Sequence, residues 1–142
     1  MANMNRPKIL IVDDNPVIIA TLSIKLRLAG YDVVSAADGS EAIAAARKEK
    51  PVLILLDINF PADVGIAWDG FKVIAWLQRL EEVKGVPVVV ISGGDAAKFK
   101  DRAIEAGAIA YFEKPVDNNK LLEVINQTLG EKAAKPAPNP VG

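Results

Sequence analysis

Apolar residues collect in short runs, separated by longer stretches in which they recur every three or four positions. Lys8-Ile9-Leu10-Ile11-Val12, Val52-Leu53-Ile54-Leu55-Leu56 and Val86-Pro87-Val88-Val89-Val90-Ile91 are apolar almost throughout, the pattern of central strands covered on both faces. Tyr31 to Ala36 mixes apolar and polar residues and predicts an edge strand, and the short run Ile109-Ala110-Tyr111-Phe112-Glu113 predicts another peripheral one. Strands alternating with helical patterns are the signature of βαβ units, so the expected fold class is α/β with a doubly wound parallel sheet.

The helices have readable ends. Asn15-Pro16 supplies a cap and first helical residue, Val17, Thr21, Ile24 and Leu28 then form a stripe expected to face the core, and Gly30 stops the helix. Asp38-Gly39-Ser40-Glu41 opens an alanine-rich helix reaching about Lys50. Asp69-Gly70 precedes a third helix with Val73, Ile74, Leu77 and Leu80 on one face, and a fourth spans about Ala96 to Ala106, before Gly107. The fifth, about Asn118 to Leu129, offers Leu121, Leu122, Val124, Ile125 and Leu129 for packing and is expected to end at Gly130. Residues 1–7 read as an N-terminal segment and 8–130 as one domain. Residues 131–142, with three prolines and no periodicity, read as a flexible tail.

Composition narrows the chemistry. The 142 residues carry 17 basic and 18 acidic side chains, so no electrostatic footprint for nucleic acid or an anionic membrane stands out. No stretch approaches the ~20 apolar residues needed to span a bilayer, and residues 1–8 lack a signal core, so a cytoplasmic location is expected. Without cysteine there are no disulfides or thiolate sites. Without histidine there is no imidazole base, and no zinc site of the usual kind. Carboxylates, lysine, hydroxyls and a hard metal remain.

Those groups stand at the ends of the runs: Asp13-Asp14, Asp57, Ser92 and Lys114-Pro115. In a parallel sheet they meet at the carboxyl edge, where open α/β sheets place their sites. Three carboxylates crowded together repel, whereas Mg²⁺ prefers oxygen ligands and Lys114 adds positive charge. A carboxylate so placed can accept a phosphoryl group, with Ser92 able to donate to a phosphoryl oxygen and Gly93-Gly94 leaving the approach open. Taken singly, each motif has a plain reading as a cap or turn; their convergence on one edge favours the site.

As a set these residues resemble the receiver domain of two-component response regulators, over residues 8 to 130. Supporting motifs are Asp38-Gly39-Ser40-Glu41-Ala42, Asp69-Gly70 and Ala106-Gly107-Ala108. The resemblance implies a flavodoxin-like five-stranded sheet of order 2-1-3-4-5 in a single, chemotaxis-receiver-like domain. It implies Asp57 as phosphoacceptor, served by a histidine kinase or histidine phosphotransfer protein, with Mg²⁺ held by Asp13, Asp14, Asp57 and the backbone carbonyl of Asn59. It further implies that Lys114 contacts the phosphoryl group across a cis bond to Pro115, and that Ser92 and Tyr111 shift together in a switch. Output would be a protein contact through the fourth helix, fifth strand and fifth helix, from a monomer or weak dimer. On this reading the chain is no enzyme beyond its own phosphorylation and dephosphorylation.

Two departures stand out. Ser92 lies where threonine is commoner, keeping the hydroxyl but losing a methyl. Seven residues separate Pro61 from Asp69-Gly70 where the family usually has about two. The added stretch, with Ile66 and Trp68, reads as a lid or partner contact or, more plainly, as a longer loop with Trp68 tucked into a crevice. Asp63 and Asp69 read as loop acids or caps, and Trp76 and Phe99 as ordinary packing. Alternatives to the receiver are a Mg²⁺-dependent phosphatase acting through an aspartyl phosphate on Asp57, or a receiver regulated without phosphorylation. The phosphatase lacks its second carboxylate, since Asn59 stands two residues after Asp57. Neither Gly-x-x-x-x-Gly-Lys nor Gly-x-Gly-x-x-Gly follows the first run, which disfavours nucleotide enzymes.

Overall fold

Side-chain alternation along the apolar runs sends neighbouring residues to opposite faces, so strands apolar throughout must be covered twice. The computed structural model, which describes residues 6–58, 70–93 and 96–134, has this architecture. Strands β1 (Lys8–Val12), β2 (Asp32–Ala36), β3 (Leu53–Asp57), β4 (Val88–Ser92) and β5 (Ala110–Glu113) pair in parallel in the order β2-β1-β3-β4-β5. Helices α1 (Pro16–Leu28), α2 (Gly39–Glu49), α3 (Gly70–Arg79), α4 (Ala96–Ala106) and α5 (Asn118–Ala134) connect and follow them, with a 3-10 turn at Glu81–Val83.

Two cores result. Ile9, Ile11, Leu53, Leu55, Val89 and Ile91 pack against Leu22 and Leu26 of α1 and Leu121 and Ile125 of α5. Leu10, Val12, Ile54, Leu56, Val88 and Val90 pack against Ala42 and Ala46 of α2, Val73, Ile74 and Leu77 of α3, and Ala103 of α4. Each fully buried Leu, Ile or Val contributes about 1.5–3 kcal/mol of burial free energy.

Caps fix where helices begin. The Asn15 side chain accepts the Val17 N–H at 2.9 Å. Asp38 accepts the Glu41 N–H at 2.8 Å while Glu41 reaches back to the Ala37 N–H, also at 2.8 Å, a reciprocal arrangement close to a capping box. Gly107 ends α4 with φ of 121°, and a Cβ there would lie 3.1 Å from the Gln78 amide, so a side chain would meet both backbone strain and crowding.

The structure corrects three expectations. The stripe Val17, Thr21, Ile24 and Leu28 does not face the core: Val17, Ile24 and Leu28 are 69%, 60% and 82% exposed. Helix α1 is apolar on two sides, and the sheet takes the other one, Ile18, Leu22 and Leu26, spaced four apart. Helix α5 runs through Gly130 to Ala134. A mid-helix glycine costs only about 1 kcal/mol relative to alanine, and Gly130 lacks the positive φ that would end the helix. Leu80, expected within α3, lies just past its end, where it still packs, half-buried, against the same core as Val73, Ile74 and Leu77. Asn59, Gly94, the 61–69 stretch and residues 135–142 fall outside the described residues.

Candidate functional site

The strand register brings the site together one step at a time. Val12 pairs with Leu56, so Asp13 and Asp57 follow on adjacent strands. Asp57 pairs with Ile91, which precedes Ser92; Ser92 pairs with Glu113, which precedes Lys114. Each chemical group thus sits at or just beyond its strand terminus.

Backbone contacts hold these ends. The Asp13 N–H donates to the Ala36 carbonyl at 3.0 Å and the Lys114 N–H to the Ser92 carbonyl at 2.8 Å. Asp13 Oδ1 accepts the Asn15 N–H at 2.9 Å, coupling this carboxylate to the cap of α1. The Lys114–Pro115 bond is cis.

Lys114 Nζ donates to Asp57 Oδ2 at 3.0 Å and lies 3.5 Å from Asp13 Oδ2. Asp13 and Asp57 are 3% exposed, Ser92 is fully buried, and Asp14 is exposed. Carboxylate oxygens of Asp13, Asp14 and Asp57 all lie within 4.8 Å of one another. Burial, and then the neighbouring Asp57 charge, push the Asp13 carboxyl above its ordinary range, against the Asn15 and Lys114 contacts. For Lys114 burial alone would lower the ammonium's pKa. The Asp57 hydrogen bond and charge, joined by Asp13, raise it instead, so it is charged at neutral pH.

One ammonium against three carboxylates leaves negative charge in a largely buried place. Oxygen donors so close together fit a hard divalent cation, with Asp13, Asp14 and Asp57 as the side chains that would hold it. The expected Asn59 carbonyl lies outside the described residues. Tyr111 faces the α2–α3–α4 core, its ladder partner being Val90, and among the described residues its buried hydroxyl makes no hydrogen bond.

One feature escaped the sequence reading. An apolar cleft of about 440 Å³ opens between α1 and the β5–α5 connection, lined by Val17, Ile18, Thr21, Pro115 and Val116, with Lys114 also in its wall. The double apolar faces of α1 were the signal that could have revealed it.

The comparisons agree with this geometry. Residues 9–126 match the response regulator receiver domain model. The chain is 35% identical over 122 residues to protein PilH of Pseudomonas aeruginosa, covering 86% of this chain and 97% of PilH. It is 37% identical over 123 residues to the DNA-binding dual master transcriptional regulator RpaA of a Synechocystis strain, covering 87% of this chain but only 49% of RpaA. The chain therefore spans about half the length of that relative. Among solved structures, the receiver domain of sensor histidine kinase PA1611 from P. aeruginosa, with a magnesium ion coordinated in its active site cleft, superposes with a TM-score of 0.76. The two share 26% identity, over 88% of this chain and 98% of that one. A carboxylate cluster closed by a lysine at the end of a 2-1-3-4-5 sheet, matched along most of its length, means that this chain belongs to the response regulator receiver domain family.

Proposed function

We propose that this chain accepts a phosphoryl group on Asp57 from a phosphohistidine of a kinase or phosphotransfer protein, and changes its protein contacts in response. The observation that carries the reading is the Lys114–Asp57 contact of 3.0 Å within the three-carboxylate cluster. An Asp57 carboxylate oxygen forms a bond to phosphorus as the phosphorus–nitrogen bond to the donor imidazole breaks, the electron pair leaving with that nitrogen. Lys114, held charged, neutralises the incoming equatorial oxygens, and the Ser92 hydroxyl, at the end of the neighbouring strand, would donate to one of them. Asp13 and Asp14, with Asp57, would hold Mg²⁺, which when bound supplies two positive charges against the phosphoryl oxygens.

The exposed stripe on α1 and the cleft it adjoins at Val17 and Thr21, with Lys114 in the cleft wall, present apolar surface that supports docking of the donor. On the opposite flank Ile104 and Ile109 are 43% and 47% exposed, which supports an output contact on the α4–β5–α5 face. The switch runs through Ser92 and Tyr111: a phosphoryl group on Asp57 would compete for Lys114, now 3.0 Å from that carboxylate, and the buried Tyr111 hydroxyl, without a hydrogen bond among the described residues, supports the reading. The chain acts in this reading as a cytoplasmic signalling receiver, turning over no substrate but its own acyl phosphate.

The test is covalent labelling by a small acyl-phosphate donor with Mg²⁺. One equivalent per chain is expected, and none in Asp57→Asn with an unchanged circular dichroism spectrum. Undiminished labelling of that variant would move the acceptor elsewhere, and continuous phosphoester turnover would point to a phosphatase instead.

A further inference from the structure

Helix α3 carries two charged side chains, Lys72 and Arg79, both basic and both exposed. Seven residues are nearly two full turns, so they share a face roughly 10 Å apart along the axis. Trp76, 45% exposed, lies between them on that face, and next to it the small Ala75 leaves room. These residues with Leu80 line a hollow of about 470 Å³. Among the described residues neither Lys72 nor Arg79 makes an ion pair. Asp69, three residues before Lys72, lies outside the described residues, while Glu81 and Glu82 follow Arg79 along the chain. The backbone leaves the helix at Leu80 (φ −78°, ψ 127°) before reaching them, and Glu82 already pairs with Arg47 at 3.4 Å.

An aromatic floor between two uncompensated cations recognises an apolar group flanked by anions. A spacing of roughly 10 Å along the axis separates their backbone positions. It equals the distance between two acidic side chains seven residues apart on a helix. We propose that this face of α3 is a docking surface for an acidic amphipathic helix of a partner protein, whose central apolar side chain enters the hollow beside Trp76. Aromatic side chains of this kind anchor interfaces, while exposed charges set which partner is admitted and how fast. The surface is separate from the phosphoacceptor edge and does not depend on how that edge is used.

The experiment titrates the whole chain with a labelled synthetic helical peptide carrying two glutamates seven residues apart around a central leucine. A counterpart with lysine for glutamate and a short single-stranded oligonucleotide serve as the other probes. The glutamate peptide should bind at least about tenfold more tightly than either. Trp76→Ala should weaken it about tenfold or more, and the double variant Lys72→Glu, Arg79→Glu should reverse the preference toward the lysine peptide. All variants should keep the wild-type melting temperature and acyl-phosphate labelling at Asp57, which separates failure here from failure of the phosphoacceptor reading. Equal binding of the two peptides, no binding of either, indifference to Trp76→Ala, or tighter binding of the oligonucleotide would each overturn the proposal.

Discussion

Replacing Asp13 by Asn in metal-free protein should make it more stable, not less. Asp13 and Asp57 present oxygens within 4.8 Å, both almost fully buried, and at an effective dielectric of ~20 such a pair repels by about 3 kcal/mol. Lys114, 3.5 Å from Asp13, returns about 5 kcal/mol on the same scale. The exposed Asp14 adds only a screened fraction of repulsion. Pairwise charges therefore nearly cancel, and the cost of burying the Asp13 charge decides the sign, in keeping with its raised pKa. An asparagine keeps the oxygen that accepts the Asn15 N–H, and Lys114 keeps Asp57 at 3.0 Å. The gain should be on the order of 1 kcal/mol, raising the melting temperature by about 2–5 °C in a chelator.

The raised Asp13 pKa also sets a pH trend. A carboxyl whose folded pKa lies above its unfolded value makes the folded state hold the extra proton, so metal-free wild type should lose stability as pH rises through that elevated pKa. The Asn variant should be flatter there. Millimolar Mg²⁺ should reverse the ranking, since a ligand bound only by the folded state adds about 2.7 kcal/mol at a hundredfold excess over its dissociation constant. Thermal melts followed by circular dichroism, with chelator and with Mg²⁺ across pH, check all three points. A variant that melts lower than wild type in chelator, or gains as much from Mg²⁺, would refute the reasoning.

Lys114→Ala removes the counter-charge shared by Asp13 and Asp57. With Lys114 about a quarter exposed, a loss of roughly 1–3 kcal/mol is expected, along with phosphorylation uncoupled from any change at the α4–β5–α5 face; a wild-type response of that face by NMR shifts would contradict this. Leu55→Ala, at a site 1% exposed in the core beneath α1 and α5, should cost about 2–5 kcal/mol in urea denaturation, and a loss below 1 kcal/mol would mean the core relaxes around it. Leu28→Glu, at a position 82% exposed, should change stability by under about 0.5 kcal/mol yet slow transfer from a phosphohistidine donor but not from a small acyl phosphate. Equal rates with the protein donor would remove α1 from the docking face.

Strands were the clearest part of the sequence because their burial is uniform. Leu53 to Leu56 and Val88 to Ile91 are at most 3% exposed, so an unbroken apolar run could only be a covered strand. The carboxylates, serine and lysine were legible because each closes such a run, and a parallel register carries that position straight into space. Helix faces were harder. In α1 the residues 17, 21, 24, 28 and 18, 22, 26 are both apolar series, and only the sheet's position decides between them. Gly130 misled because glycine signals a helix end only when it adopts a positive φ, which it does at residues 30 and 107 but not at 130. No periodicity could have foretold that the Tyr111 hydroxyl would be left unpaired, since that depends on three-dimensional packing alone.

The stepwise register has a consequence for how such a molecule can vary. Because every reactive group is fixed within two residues of a strand terminus, the segments beyond those positions are under little obligation to keep a common length or composition. Partner choice can drift in them while the chemistry stays put, whereas a one-residue slip in β1, β3, β4 or β5 would pull its acid, hydroxyl or lysine out of the cluster at a stroke.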